Sequence, residues 1–346
     1  MDFRPIFLVV GLLLATLALV MLVPAAANAF SGHPDWEVFA ICAGVTLFVG
    51  VGMALTTRIG PTRLSIRQAF VMTTLSWLFL TFFASLPFVY ADQGLSFTDA
   101  FFEAISGITT TGSTVITGLD QAPTGILLWR ALLQWLGGIG IIVMAIAVLP
   151  MLKVGGMQLF RVEAFDTGQK ALPRAAQIAA AIVVIYITVT IFCATALWAA
   201  GMTGFEALVH AMTALSTGGF STSDESVGHF DSALIDAIVT AGMIAGSLPF
   251  VLYLRTLQGE VRVLFSDSQV QWFLTTVGVV VLMAAGWLWL ANGLDPLLAL
   301  RLASFNIVSV ITGTGYVTSD YSLWGSFVLP IFFFIMFIGG CAGSTT

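Results

Sequence analysis

The chain has 346 residues, 58% hydrophobic and 9% charged, with a formal net charge of −6. A mean hydropathy of +1.01 excludes a soluble globular domain and marks an integral membrane protein. The acidic balance, with no basic run, excludes a general nucleic-acid footprint.

From the N-terminus, Pro5 to Ala27 and Trp36 to Thr56 read as two spans joined by a polar loop from Asn28 to Asp35. Arg4 precedes the first apolar run much as in a signal peptide, but a second span follows at once, so the run is read as a retained helix. A cluster of Arg58, Arg63 and Arg67 follows.

Three units with one grammar come next: a long span, a short half-span, a glycine segment and another long span. In the first, the spans are Ala69 to Tyr90 and Gly125 to Leu152, with the half-span Phe97 to Thr109. In the second they are Ala175 to Ala200 and Ser232 to Leu254, around Phe205 to Leu215. In the third they are Val270 to Ala291 and Leu323 onward, around Pro296 to Ile311. The half-spans are too short to cross roughly 30 Å of hydrocarbon, as re-entrant pore helices are.

The glycine segments centre on Gly112, Gly219 and Gly315, 107 and then 96 residues apart. A period near one hundred residues is an internal repeat. A single copy reads as an ordinary Gly- and Thr-rich turn. Three copies, each between a half-span and a long span, point instead to a filter in which backbone carbonyls replace the water around a cation. Glycine lets successive carbonyls turn to one side, and non-helical backbone at membrane depth belongs where it lines a path or is buried in protein. The half-span C-termini would add the negative end of the helix dipole.

Relative to these glycines, Asp99 and Glu206 each lie thirteen residues before, Glu103, His210 and Asn306 nine before, and Ser106, Thr213 and Ser309 six before. Structural ties between half-span and filter, or to the next helix, are the expectation for them, ahead of direct ion contact.

Charge sets the expected orientation. Arg4, Arg58, Arg63, Arg67, Lys153, Arg161, Lys170, Arg174, Arg255 and Arg262 fall on one side, which is then cytoplasmic, with the N-terminus on it. Acids on the filter side, including Asp92, Asp120, Asp224, Glu225, Asp231, Asp236 and Asp320, either concentrate cations at an outer mouth or only keep the loops polar. Arg130 and Arg301 lie within or at the edge of the membrane. Pairing with an acid such as Glu103 or Asp120 is expected for Arg130. Cys42, Cys193 and Cys341 are far apart in apolar sequence and suit buried thiols better than disulfides or a metal cluster. With no Walker loop, dinucleotide fingerprint or triad, neither an enzyme nor a bound cofactor is expected.

Several motifs together carry a family resemblance. They are Thr109-Thr110-Thr111-Gly112-Ser113-Thr114, Gln134-Trp135-Leu136-Gly137-Gly138-Ile139-Gly140-Ile141 and Val154-Gly155-Gly156-Met157-Gln158-Leu159. Ser216-Thr217-Gly218-Gly219-Phe220-Ser221-Thr222 and Ile338-Gly339-Gly340-Cys341-Ala342-Gly343-Ser344-Thr345 complete the set. On these the chain resembles the Trk/Ktr/HKT superfamily of potassium transporters, most closely bacterial TrkH proteins. The resemblance implies an all-α, potassium-channel-like membrane fold, with a leading two-helix hairpin (1–67) and helix–pore loop–helix repeats at 68–165, 166–265 and 266–346. It implies potassium coordination by Thr110, Thr111, Gly112, Thr217, Gly218, Gly219, Gly313, Thr314 and Gly315.

The same resemblance makes Gly339, Gly340, Cys341, Ala342, Gly343, Ser344 and Thr345 an intramembrane gating loop. Without it, a helix end or a tight helix–helix contact reads equally well. It implies a homodimer in the bacterial inner membrane, with a cytosolic TrkA-type nucleotide-binding subunit docked near residues 153–174 and 255–262. TrkH-like proteins continue past Thr346 into a fourth repeat, so a truncated chain is expected. The rival readings are a sodium-coupled or sodium-permeable member, against which glycine at each filter centre argues, and a non-conducting subunit or remnant. A weaker rival is a transporter of inverted repeats with discontinuous helices at the midplane.

Overall fold

The computed structural model describes residues 2–57, 65–91, 94–147 and 171–346, the side chains of 143–147 and 171–176 excepted. Arg58, Arg63, Asp92, Lys153, the 154–159 motif, Arg161 and Lys170 lie outside the described residues, and so does the side chain of Arg174. The described residues are helical with connecting loops, and they group into two compact units.

The first unit comprises Met1–Thr109 and Ser113–Leu133. It holds α1 (Arg4–Ser31), α2 (Trp36–Thr56), α3 (Ile66–Tyr90), α4 (Phe97–Ile108) and the start of α5 (Thr124–Ala147). α1 and α2 form an antiparallel pair whose backbones touch where Gly11 faces Gly50. The first four residues of the expected loop, from Asn28, are instead the last turn of α1, which is capped by Gly32 in the left-handed region with φ 72°. Asn28 is buried there, and its Oδ1 accepts from the Gly125 amide at 2.7 Å. A polar residue that reads as loop from composition thus satisfies an orphan N–H at the start of another helix.

The second unit comprises Thr110–Gly112 and Gln134–Thr346. It holds the rest of α5, α6 (Ala171–Ala199), α7 (Gly204–Leu215), α8 (Ala233–Gly246), α9 (Phe250–Leu257) and α10 (Val263–Ser266). α11 (Ser268–Leu290), α12 (Pro296–Ile311) and α13 (Val328–Ile335) follow. α1, α2, α3, most of α5, α6 and α11 are each long and apolar enough to cross a membrane.

Two expected spans are corrected. The span Ser232 to Leu254 is broken into α8 and α9, bent by 92°. Pro249 explains the break, since it lacks an N–H and disfavours helical geometry in the residue before it. The span expected from Leu323 is a 3-10 turn at Tyr321–Trp324 followed by the eight-residue α13. Gly325, at φ 101°, separates the two.

The half-spans start as their sequences dictate. Ser96 caps α4 by accepting from the Asp99 amide, and Thr203 and Glu206 form a capping box on α7. Asp295 caps α12 with Pro296 in its first turn. Asp99 and Glu206 therefore serve the helix start rather than the filter or a neighbouring helix.

Candidate functional site

Each half-span ends in a short non-helical segment with the same backbone signature. Thr110, Thr217 and Gly313 have φ of 58°, 52° and 68°, and Gly112, Gly219 and Gly315 have φ of 80°, 77° and 85°. The residue between, Thr111, Gly218 or Thr314, does not have positive φ. Left-handed φ at alternate residues sets these segments apart from a strand, whose successive carbonyls alternate. Two of these positions are threonines. A β-branched residue in the left-handed region is strained by about 1–2 kcal/mol, and such strain marks functional sites.

The three segments converge within the second unit. A Cβ built on Gly112 would overlap the Gly218 carbonyl oxygen and lie 3.3 Å from that of Thr314. A Cβ on Gly219 would overlap the Thr314 oxygen. Carbonyls of one segment therefore rest against the α-carbons of the next, which only glycine permits. The structure brings together all nine residues expected at the filter, as three adjoining backbone segments.

The polar residues at matched positions hold the segments in shape. In the first unit, Glu103 accepts from Thr114 Oγ1 at 2.9 Å and from the Val115 amide at 3.0 Å. Ser106 Oγ donates to the Ser113 carbonyl at 2.6 Å. In the second unit, His210 Nε2 lies 3.0 Å from Ser221 Oγ, and Asn306 Nδ2 donates to Thr318 Oγ1 at 2.9 Å. Ser309 Oγ donates to the Tyr316 carbonyl at 2.6 Å, and Thr213 Oγ1 bonds Tyr316 Oη. These groups tie half-span to segment, as expected.

Arg130 pairs with Glu103 at 2.7 Å, both fully buried, and its Nη2 donates to Thr114 Oγ1 at 3.0 Å. Arg301 pairs with Asp236 at 2.7 Å and Asp231 at 3.1 Å, joining α12 to the start of α8. The loop from Val317 to Ser322, with Glu225 and Gly228, lines a cavity of about 580 Å³. Asp320 in that loop accepts from the Ser322 hydroxyl and amide, which holds its carboxyl below the usual range.

One partner of these segments has no expected role from its sequence position. Gln134, fully buried on α5, donates from Nε2 to the Gly218 carbonyl at 2.6 Å and accepts at Oε1 from the Phe220 amide at 3.0 Å. Its only signal was membership in the Gln134–Ile141 motif. One small residue of that motif also has a cause: a Cβ on Gly138 would meet Tyr186 Oη at 2.8 Å and Ser216 Cβ at 3.0 Å.

Residues 339–345 form a non-helical loop seated in the break between α8 and α9. The Cys341 amide donates to the Ser247 carbonyl at 2.9 Å and the Phe250 amide to the Gly343 carbonyl at 3.1 Å. The Thr345 amide donates to the Gly246 carbonyl at 3.1 Å. Thr345 Oγ1 reaches the carbonyls of Leu215 at 3.0 Å and Gly246 at 2.9 Å, and lies 3.4 Å from Thr217 Oγ1. Backbone groups freed by the helix break are thus satisfied by the loop, as an apolar setting requires. Cys341 is buried in this loop, and Cys42 and Cys193 are likewise buried free thiols.

Comparison with known proteins gives these features a context. Residues 37–346 match the family model described as TrkH, cation transport protein. The chain is 42% identical over 343 residues to the Trk system potassium uptake protein TrkI of Halomonas elongata, covering 99% of this chain and 70% of that protein. It is 37% identical over 350 residues to the Trk system potassium uptake protein TrkH of Escherichia coli K12, covering 100% and 72%. The crystal structure of the potassium transporter TrkH from Vibrio parahaemolyticus superposes with a TM-score of 0.92 at 38% identity, over 100% of this chain and 72% of that one. These relatives are membrane transporters rather than enzymes. The likeness covers the chain end to end and agrees with its multi-pass, all-helical build, so this chain belongs to the TrkH family of cation transport proteins.

Proposed function

We propose that this protein takes up potassium across the bacterial inner membrane through a selectivity filter made by Thr110–Gly112, Thr217–Gly219 and Gly313–Gly315. One observation carries the reading. Three segments with left-handed backbone at the glycine and two residues before it adjoin, carbonyl against α-carbon. Carbonyls so arranged can replace a cation's hydration shell, and selection follows from their number and geometry. The names of the relatives, potassium uptake proteins and a potassium transporter, supply the ion.

The loop 339–345 is the gate in this reading. Its support is the position of Thr345, within hydrogen-bond reach of Thr217. The excess of Lys and Arg on the side opposite the filter supports an N-terminus in the cytoplasm. A homodimer and a TrkA-type cytosolic subunit bound at the basic inner loops complete the proposed system, the name "Trk system" of the relatives supporting partner subunits. Glycine at all three centres favours potassium over a sodium-permeable function.

The test is potassium-limited growth of a bacterial strain lacking its own uptake systems. It would carry the protein expressed from its full gene, with or without Gly112→Asp and with a TrkA-type partner supplied. Rescue by the parent, lost with Gly112→Asp at equal membrane abundance, is expected. A well-expressed parent that never rescues growth would overturn potassium uptake.

A further inference from the structure

We propose that Gln134 is a specificity-determining positioning residue of the potassium filter, acting through the Gly218 carbonyl; this rests on the filter reading above. The side-chain amide bonds the backbone on both sides of Gly219, donating to the Gly218 carbonyl at 2.6 Å and accepting from the Phe220 amide at 3.0 Å. It thereby does for this segment what the backbone of a neighbouring strand does for a strand. From the other side, the Thr213 carbonyl accepts from the amides of Gly218 at 2.9 Å and Gly219 at 3.3 Å. The second filter segment is clamped between these two partners.

The fit is close on both faces of the Gly218 peptide. A Cβ on Gly218 would lie 2.5 Å from Gln134 Oε1 and 2.7 Å from Nε2, so the amide rests on the α-carbon itself. The Gly218 oxygen is at the same time pressed against the α-carbon of Gly112. One carbonyl is therefore wedged between a side chain of α5 and the first filter segment. Any displacement of Gln134 would shift two of the three segments.

Gln134 is fully buried, so no water replaces its hydrogen bonds when it is changed. A carbonyl oxygen has two lone pairs. The one engaged by Gln134 fixes where the other points, and carbonyl placement is what a filter selects with. A side chain that only filled space would affect protein yield or maximal rate. One that sets carbonyl placement changes the concentration dependence and the ion preference.

The experiment uses the protein expressed from its full gene in cells lacking other potassium uptake. KM, maximal rate and inhibition by sodium are measured for the parent, Gln134→Met, Gln134→Glu and Gly112→Asp. Methionine keeps the length and removes both hydrogen bonds. Glutamate keeps an acceptor for Phe220 and sets an oxygen against the Gly218 carbonyl. The expected result for both Gln134 variants, at parental membrane abundance, is a KM for potassium raised at least about tenfold, the factor supplied by loss of the hydrogen bond to the Gly218 carbonyl that both variants share. Discrimination against sodium should fall with it, while maximal rate changes less. Parental KM and ion preference in Gln134→Met, a change in maximal rate alone, or failure of both variants to accumulate in the membrane would each overturn the proposal. If Gly112→Asp also transports like the parent, the filter reading falls, and the proposal falls with it. If only Gly112→Asp is defective, the filter stands and the role of Gln134 does not.

Discussion

Arg130 Nε lies 2.7 Å from Glu103 Oε1 with neither side chain accessible, and the same carboxylate receives the Thr114 hydroxyl and the Val115 amide. One buried ion pair thus joins α5 to α4 and to the chain that follows the first glycine segment. Removing one charge strands the other, so Glu103→Gln or Arg130→Met is expected to destabilise by about 3–5 kcal/mol. The double variant should recover part of that loss. Melting of detergent-extracted protein reads all three, and additive losses would show that the two charges do not act as a pair.

Arg301 offers an internal contrast. Its partner Asp236 is 4% exposed and its partner Asp231 is 91% exposed. Screening by solvent leaves the Asp231 contact worth about 0–1 kcal/mol. Arg301→Gln should cost more, because Asp236 is then buried beside no cation. The same melting assay should rank Arg301→Gln well below Asp231→Asn, and equal effects would count against burial as the deciding factor.

Gly219→Ala tests the close approach of the segments. The added methyl overlaps the Thr314 carbonyl and sits at φ 77°, so potassium uptake should be lost. Gly278 is the control. It lies within helix α11, where a Cβ meets nothing within 4 Å among the described residues. Gly278→Ala should leave uptake intact and add up to about 1 kcal/mol of stability. Retained uptake in a folded Gly219→Ala protein would remove the packing argument.

Thr345→Val keeps the shape of the side chain and removes the one hydroxyl proton, which lies within reach of the Leu215 and Gly246 carbonyls. In the gate reading the loop then leaves the α8–α9 break more readily. Loss of the one buried hydrogen bond the hydroxyl proton can make in the seated state amounts to about 0.5–1.5 kcal/mol. The maximal uptake rate should rise several-fold with little change in KM. A fall in rate, or a changed KM, would assign Thr345 to something other than seating the loop.

Much of this was legible because membrane chemistry writes strong patterns. Apolar runs long enough to span, and amphipathic runs too short to span, place most helices in the sequence. The glycine segments stand out because few residues tolerate left-handed backbone. The partners Glu103, His210 and Asn306 were located by matched spacing, since each lies at the same depth in its half-span.

What stayed hidden depends on residues far apart in the chain. The segment Ser232 to Leu254 read as one unbroken span, yet it bends by 92° and a loop nearly one hundred residues later takes up the broken helix's hydrogen bonds. Asn28 looked like loop because its partner, the Gly125 amide, lies elsewhere in the sequence. Gln134 had no spacing signal, because its work is on Gly218 and Phe220. Local sequence determines which segments are helical and where the backbone must turn left-handed, because those choices are settled by burial in lipid and by sterics within a residue or two. Tertiary structure alone decides which buried polar group satisfies which, because a hydrogen bond in an apolar interior depends on meeting a partner in space.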